Sequence, residues 1–134
     1  MKIILYAAEG SNSSERVEWA LCHKAIAYER VEVAPEELKT SYLTINPFGY
    51  VPAISLDGEI ICESLAIIEC LEELFPKRPL LPYDPIKRAK VRQVCEYVNS
   101  TIHPAQNRSV LSFLRPELYQ RHLFLTRDED SQIT

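Results

Sequence analysis

Residues 46–64 read NPFGYVPAISLDGEIICES, a string that few architectures can accommodate. Asn46-Pro47-Phe48-Gly49 is a turn punctuated by Pro and Gly, and Val51-Pro52 follows at once. X-Pro bonds are the only peptides with a sizeable cis population, and a tight turn is where a cis bond usually sits. A cis Val51–Pro52 bond is therefore expected, turning the N–H and C=O of Val51 out from the strand edge to meet an extended peptide. Residues 53–56 form a short apolar run of strand length. Asp57-Gly58 is a two-residue hairpin signal joining that run to residues 59–62. The hairpin leads straight into a helix, with Ser64 where an N-cap belongs. The positive end of that helix suits a carboxylate, and Glu63 beside it can hold an ammonium.

The remaining elements order themselves around this stretch. Residues 2–7 (KIILYA) are an apolar run without a helical period and predict a first strand. A polar loop, residues 9–14, ends in candidate caps, and apolar positions at helical spacing follow through Lys24. Asn12 with Glu15 three residues on reads as a capping box. Residues 28–33 predict a second strand, making a βαβ unit with parallel strands. Residues 36–43 predict a short helix. Residues 64–75 (SLAIIECLEELF) predict a helix with Leu65, Ile68, Leu71, Leu74 and Phe75 on one stripe. Four prolines between Pro76 and Pro85 mark a stiff, extended linker. Asp84-Pro85 opens another helix, with Asp as cap and Pro in the first turn, running to about residue 102. Pro104 is expected to bend or break it before residues 105–114. Residues 127–134 are polar enough to be a tail.

Charge and cysteine usage narrow the function. A net charge of −4 with no basic run argues against nucleic acid. No stretch has the length of a membrane span, and the N-terminus does not read as a signal peptide. Cys22, Cys62, Cys70 and Cys95 form no CxxC pair, so neither a disulfide framework nor a metal site is expected, and a cytoplasmic setting fits best. Trp19 and the tyrosines read as core or interface, and Arg16 as part of a structural or interface ion pair.

The order βαβ-α-ββα, with a cis proline before the third strand, is that of an α/β thioredoxin-like domain with a mixed four-stranded sheet. A redox member would carry CxxC near residues 11–14, where this chain has Ser and Asn. What remains is a set of hydroxyls at a helix N-terminus, a place that lowers the pKa of a ligand's thiol. The expected division is residues 1–77 as this domain, 78–85 as the Pro-rich linker, and 86–134 as a short, incomplete all-α segment.

With NPFGYVPAI, DG, ESLAIIECLEELFP and DPIKRAKVR in this order, the chain resembles the cytosolic glutathione transferases over residues 2–114. Among their classes it is most similar to zeta, which includes maleylacetoacetate isomerase. The class marker Ser-Ser-Cys-Ser-X-Arg-Val stands here as Ser11-Asn12-Ser13-Ser14-Glu15-Arg16-Val17, so Asn12 and Ser13 replace Ser and Cys. IHPAQNRSVL, residues 102–111, is also zeta-like. The resemblance implies glutathione as cosubstrate and a small electrophile as second substrate. It makes Ser11 the hydroxyl that activates the thiolate, with Ser13 and Ser14 as alternatives and Asn12 beside them. Val51, set by Pro52, pairs with the cysteinyl backbone. Glu63 and Ser64 hold the γ-glutamyl ammonium and carboxylate. His103, Asn107 and Ser109 line the site from the second domain, His103 standing where an amide is usual. The implied activity is transfer or isomerisation by thiolate addition, as in the cis–trans isomerisation of maleylacetoacetate. The alternative is a glutathione-binding or interaction module with little turnover. Apolar stripes around Val91, Val94, Val98 and Leu111 lead to the expectation of a homodimer.

Overall fold

A computed structural model describes residues 1–105. Its elements are β1 (Ile3–Ala7), α1 (Asn12–His23), β2 (Glu29–Glu32), two 3-10 turns (Glu37–Lys39 and Ser41–Thr44), β3 (Ala53–Leu56), β4 (Glu59–Cys62), α2 (Ser64–Leu74), α3 (Pro85–Tyr97), a π-helical turn (Val98–Ile102) and α4 (His103–Ala105). One four-stranded sheet runs in the order β2-β1-β3-β4. β1 pairs parallel with β2 and antiparallel with β3, and β3 antiparallel with β4. This is the mixed sheet of a thioredoxin-like domain.

Alternation along β1 builds two cores, because successive side chains in a strand point to opposite faces. Ile3, Leu5 and Ala7 join Val17, Leu21, Ile54, Ile67 and Leu71 under α1 and α2. Each fully buried Leu or Ile there contributes roughly 1.5–3 kcal/mol. Tyr6 points the other way, against a second cluster of Ala8, Val33, Leu38, Tyr42, Val51 and Ala53. Val51 thus lies in the second core, close to the edge where β3 begins. The β3–β4 hairpin closes with Asp57 at φ +50° and Gly58 at +100°, the paired positive φ of a type I′ turn.

Several local expectations are corrected. The short helix predicted for residues 36–43 is two 3-10 turns, because Thr40 at φ −133°, ψ −105° interrupts it. The Thr40 hydroxyl instead donates to the Glu36 carbonyl at 3.0 Å. On α2 the buried face is Ser64, Ile67, Leu71 and Glu72, with Leu74 exposed, so the apolar stripe is turned from the one the sequence predicts. Glu72 takes an inward place because it meets the Lys24 ammonium at 2.5 Å. Of the two places read for Trp19, core or interface, the core is excluded, since the side chain is 72% exposed. Asp84 and Pro85 open α3 as predicted, the Asp84 carboxylate accepting from the Lys87 N–H at 2.8 Å. Ahead of Pro104 the helix widens into the π turn, and the His103 N–H donates to Val98 O, five residues back. A proline clashes with the carbonyl four residues before it, and a wider turn relieves that clash without ending the helix. α3 has no buried residue, and Val91, Val94 and Val98 are exposed. Leu111 lies outside the described residues. Among those residues, no helix is long and apolar enough to cross a membrane.

Candidate functional site

The start of α1 sorts the three serines. Ser11, not Asn12, is the N-cap: it is extended at φ −85°, ψ 108°, and its Oγ accepts from the Ser14 N–H at 3.3 Å. The capping box centred on Asn12 is therefore corrected by one residue. Ser14 is buried, and its Oγ accepts from the Ala8 N–H at 3.4 Å, tying the loop to the end of β1. Ser11 is also buried, but accepting one bond leaves its O–H to donate, and no acceptor for it is present among the described residues. Asn12 and Ser13 are half-buried, flanking that hydroxyl.

The turn before β3 is fixed from two sides. Asn46 Nδ2 donates to the Tyr50 carbonyl at 2.8 Å, and the Tyr42 hydroxyl donates to the same oxygen at 3.0 Å. The Phe48 N–H returns to Asn46 Oδ1 at 3.1 Å and the Gly49 N–H to Asn46 O at 2.8 Å. Gly49, at φ +69°, passes so close to the Leu38 carbonyl that a Cβ would lie 2.5 Å from that oxygen. Burial pushes the Tyr42 phenol above its ordinary pKa, so it stays a donor. The Val51–Pro52 peptide is cis, and the β3 ladder begins only at Ala53. The Val51 N–H and C=O carry no hydrogen bond from the described residues.

The start of α2 differs from the sequence expectation. Glu63, not Ser64, is at the N-cap, at φ +71° and with no capping bond from its side chain. Ser64 is the first helical residue. Its hydroxyl turns aside to accept from Arg16 Nη1 at 3.4 Å. Glu63 is exposed, next to Cys62, whose thiol is pushed up first by burial and then by the Glu63 charge.

Arg16, on the second turn of α1, was expected to form a structural or interface ion pair; of the structural kind there is none among the described residues, where no carboxylate lies within salt-bridge distance. Its guanidinium spans three elements instead. Nη1 donates to Ser64 Oγ and to Asn99 Oδ1 at 2.9 Å, and Nη2 lies 3.5 Å from His103 Nδ1. Burial holds its pKa below the ordinary arginine value. Arg16 therefore joins the start of α1 to the start of α2, and brings His103 to them. Asn107 and Ser109 lie outside the described residues. Asn99 was not picked out from the sequence, and neither was the bridging role of Arg16. The available signal was an arginine flanking the inward stripe of Val17 and Leu21, one turn past a serine-rich cap.

A separate cavity of about 160 Å³ lies between α2 and α3, lined by Leu65, Ile68, Glu69, Leu81, Arg92 and Cys95 among others. None of the predicted site residues lines it.

Comparison with known proteins agrees with this fold. The family model described as glutathione S-transferase, N-terminal domain, matches residues 5–79. The chain is 47% identical over 115 residues to a "Probable maleylacetoacetate isomerase" of Caenorhabditis elegans, covering 84% of this chain and 54% of that protein. It is similar to the holo structure of a maleyl pyruvate isomerase, a bacterial glutathione S-transferase in the Zeta class, with TM-score 0.74 and 38% identity over 84% of this chain and 54% of that one. A glutathione transferase homologue from Sulfitobacter, with bound glutathione, gives TM-score 0.74 and 31% identity over 88% of this chain and 59% of that one. The chain spans about half the length of the curated relatives it matches. On the match over residues 5–79, the sheet order and the relatives' identity together, the chain belongs to the glutathione S-transferase family, and within it is most like the zeta class.

Proposed function

We propose that this chain carries the glutathione half of a zeta-like transferase or isomerase active site. The observation that supports this most is that Arg16 joins the N-terminal ends of α1 and α2. A tripeptide with a thiol at its middle and an amino acid carboxylate at one end suits this layout. Ser11 donates to the sulfur, the Val51 backbone pairs with the cysteinyl unit, and Ser64 with Glu63 takes the γ-glutamyl carboxylate and ammonium. Ser13 and Asn12 flank the sulfur, Ser14 supports Ser11, and His103, with Asn107 and Ser109, belongs to the second-substrate side.

Chemistry follows from the thiol. A free cysteine thiol has a pKa of about 8.5 and is mostly protonated at neutral pH. One hydroxyl donor and one helix end, each contributing roughly 1 kcal/mol, lower it by about one to two units. In the isomerase reading the thiolate adds to the cis double bond of a conjugated dicarboxylate such as maleylacetoacetate, and the C–S bond forms as the π electrons move into an enolate. Rotation about the new single bond follows, the electrons return, and the thiolate leaves. Glutathione is regenerated and nothing is oxidised. In transfer to another electrophile the C–S bond persists.

The test is a pH titration of the thiolate absorbance of bound glutathione in the wild type and Ser11→Ala. The thiol pKa is expected to rise by about one unit in the variant; an unchanged value removes Ser11 from this role. The exposed Val91, Val94 and Val98 of α3 favour a second reading, a glutathione-binding module whose main business is association. Retention on immobilised glutathione with neither aryl halide conjugation nor isomerase turnover would select it. A homodimer, a cytoplasmic location and a boundary in the linker of residues 78–85 complete the proposal.

A further inference from the structure

A guanidinium that is half-buried, has no carboxylate partner among the described residues and touches three elements calls for an explanation beyond helix packing. Arginine presents its N–H groups in a rigid planar fork, so two acceptors held by one guanidinium are held at a fixed spacing. Here the acceptors are Ser64 Oγ, on the start of α2, and Asn99 Oδ1, on the π turn, both on Nη1 at 3.4 and 2.9 Å. The guanidinium only donates, so Nδ1 of His103, 3.5 Å from Nη2, is placed as the acceptor side of its ring. Asn99 and His103 sit where the helix is widened, a local geometry frequent at functional positions.

We propose that Arg16 is a positioning residue: it sets the Ser64 hydroxyl and the Asn99 and His103 side chains against one another, so that the start of α2 and the π turn meet one ligand. This rests on the glutathione reading above for its ligand, but the clamp itself does not need it. Arg16 does not contact the thiol or donate a proton in the reaction. Its effect is on where Ser64 can reach. An arginine serving only to pack α1 would be replaced by lysine, whose aliphatic stem covers the same surface. A fork holding Ser64 and Asn99 on one nitrogen and His103 on the other would not be.

The experiment uses the whole chain with Arg16→Gln, Arg16→Lys, Ser64→Ala and Asn99→Ala, singly and in pairs, reading urea unfolding and the affinity for reduced glutathione by calorimetry. Arg16→Gln and Arg16→Lys are both expected to weaken glutathione binding about tenfold, and in the Ser64→Ala background to weaken it less than about twofold further, since residues in one network are not additive. Arg16 and Asn99 are expected to couple by at least about threefold in the unfolding constant. Full rescue by lysine, or additive effects of Arg16 and Ser64 on affinity, would overturn the proposal. If the wild type failed to bind glutathione, the ligand reading would fall, and the Arg16–Asn99 cycle would still decide the clamp: additivity within error there sinks it.

Discussion

α1 and α2 pack against each other and are cross-linked at both ends by a cation, with opposite outcomes. At the C-terminal end Lys24, with no exposed side-chain surface, meets the Glu72 carboxylate at 2.5 Å. Its ammonium also donates to the carbonyls of Phe75 and Arg78, at 3.0 and 3.5 Å, while Glu72 accepts from the N–H groups of Leu80 and Leu81. Every charge there is matched and the linker is stitched down. At the N-terminal end, among the described residues, Arg16 finds only neutral acceptors, Ser11 keeps an unused O–H, and the Glu63 side chain makes no capping bond. One end is saturated by the protein itself, and the other has bonding capacity left for a ligand. The saturated end should therefore govern stability and the unsaturated end affinity.

The largest effect is expected at the saturated end. Glu72→Gln removes the carboxylate and leaves the Lys24 ammonium buried without its counter-charge, a change that costs about 3–5 kcal/mol for such pairs. Glutathione affinity in the folded protein should stay within about twofold of wild type, because no ligand group is near. A pH dependence sharpens this. Burial alone would raise the Glu72 carboxyl, but the Lys24 ammonium and the amides of Leu80 and Leu81 outweigh it and hold the pKa below the ordinary glutamate value. The stabilisation is then complete above the unfolded value, about 4.3, and is lost as pH falls through the lower folded value. Urea midpoints measured from pH 6 downward should fall more steeply in the wild type than in Glu72→Gln. Parallel curves would show that the pair is not the source.

Next in size is the turn that carries Val51. Gly49→Ala puts a methyl 2.5 Å from the Leu38 carbonyl at a positive φ, costing about 2 kcal/mol or more. The strain can be relieved only by moving the chain that leads to Val51, so affinity should drop together with stability. Loss of stability with unchanged affinity would detach Val51 from the ligand side of the comparison.

What could be read from the sequence follows the range of the forces involved. The 46–64 stretch was legible because each signal in it is local: Pro and Gly fix their own backbone, Asp57-Gly58 its own turn, and β3 its apolar run. Val51 and Ser64 could be picked out for the same reason, whereas Ser11 came from the family resemblance, the local cap signal having pointed to Asn12. The inward turn of Glu72 was not, because it depends on Lys24, far away in sequence, and a carboxylate on a helix reads as exposed until its partner is known. The bridging role of Arg16 was missed for a related reason: its acceptors, Ser64 and Asn99, are neutral, and sequence rules pair arginine with acids. The one-residue errors at both helix starts come from serine clusters in which several residues can cap, and only backbone angles choose between them.

The smallest and most discriminating prediction concerns Glu63. Its φ of +71° is a region that a side chain enters at a cost of about 1 kcal/mol, and glycine enters freely. Glu63→Gly relieves that strain but adds freedom to the unfolded chain, so the net change should be a gain of at most about 0.5–1 kcal/mol. Glu63→Gln keeps the strain and removes only the charge, leaving stability nearly unchanged. Under the ligand reading both variants lose the partner of the ammonium and should bind glutathione several-fold more weakly, most clearly at low ionic strength, where an exposed charge is least screened. A residue held in an unfavourable conformation that adds nothing to stability is then held there for the ligand. If Glu63→Gly were more stable and bound as tightly, the strain would serve only the passage from β4 into α2, and the contrast between the two ends of the helix pair would rest on Arg16 and Ser11 alone.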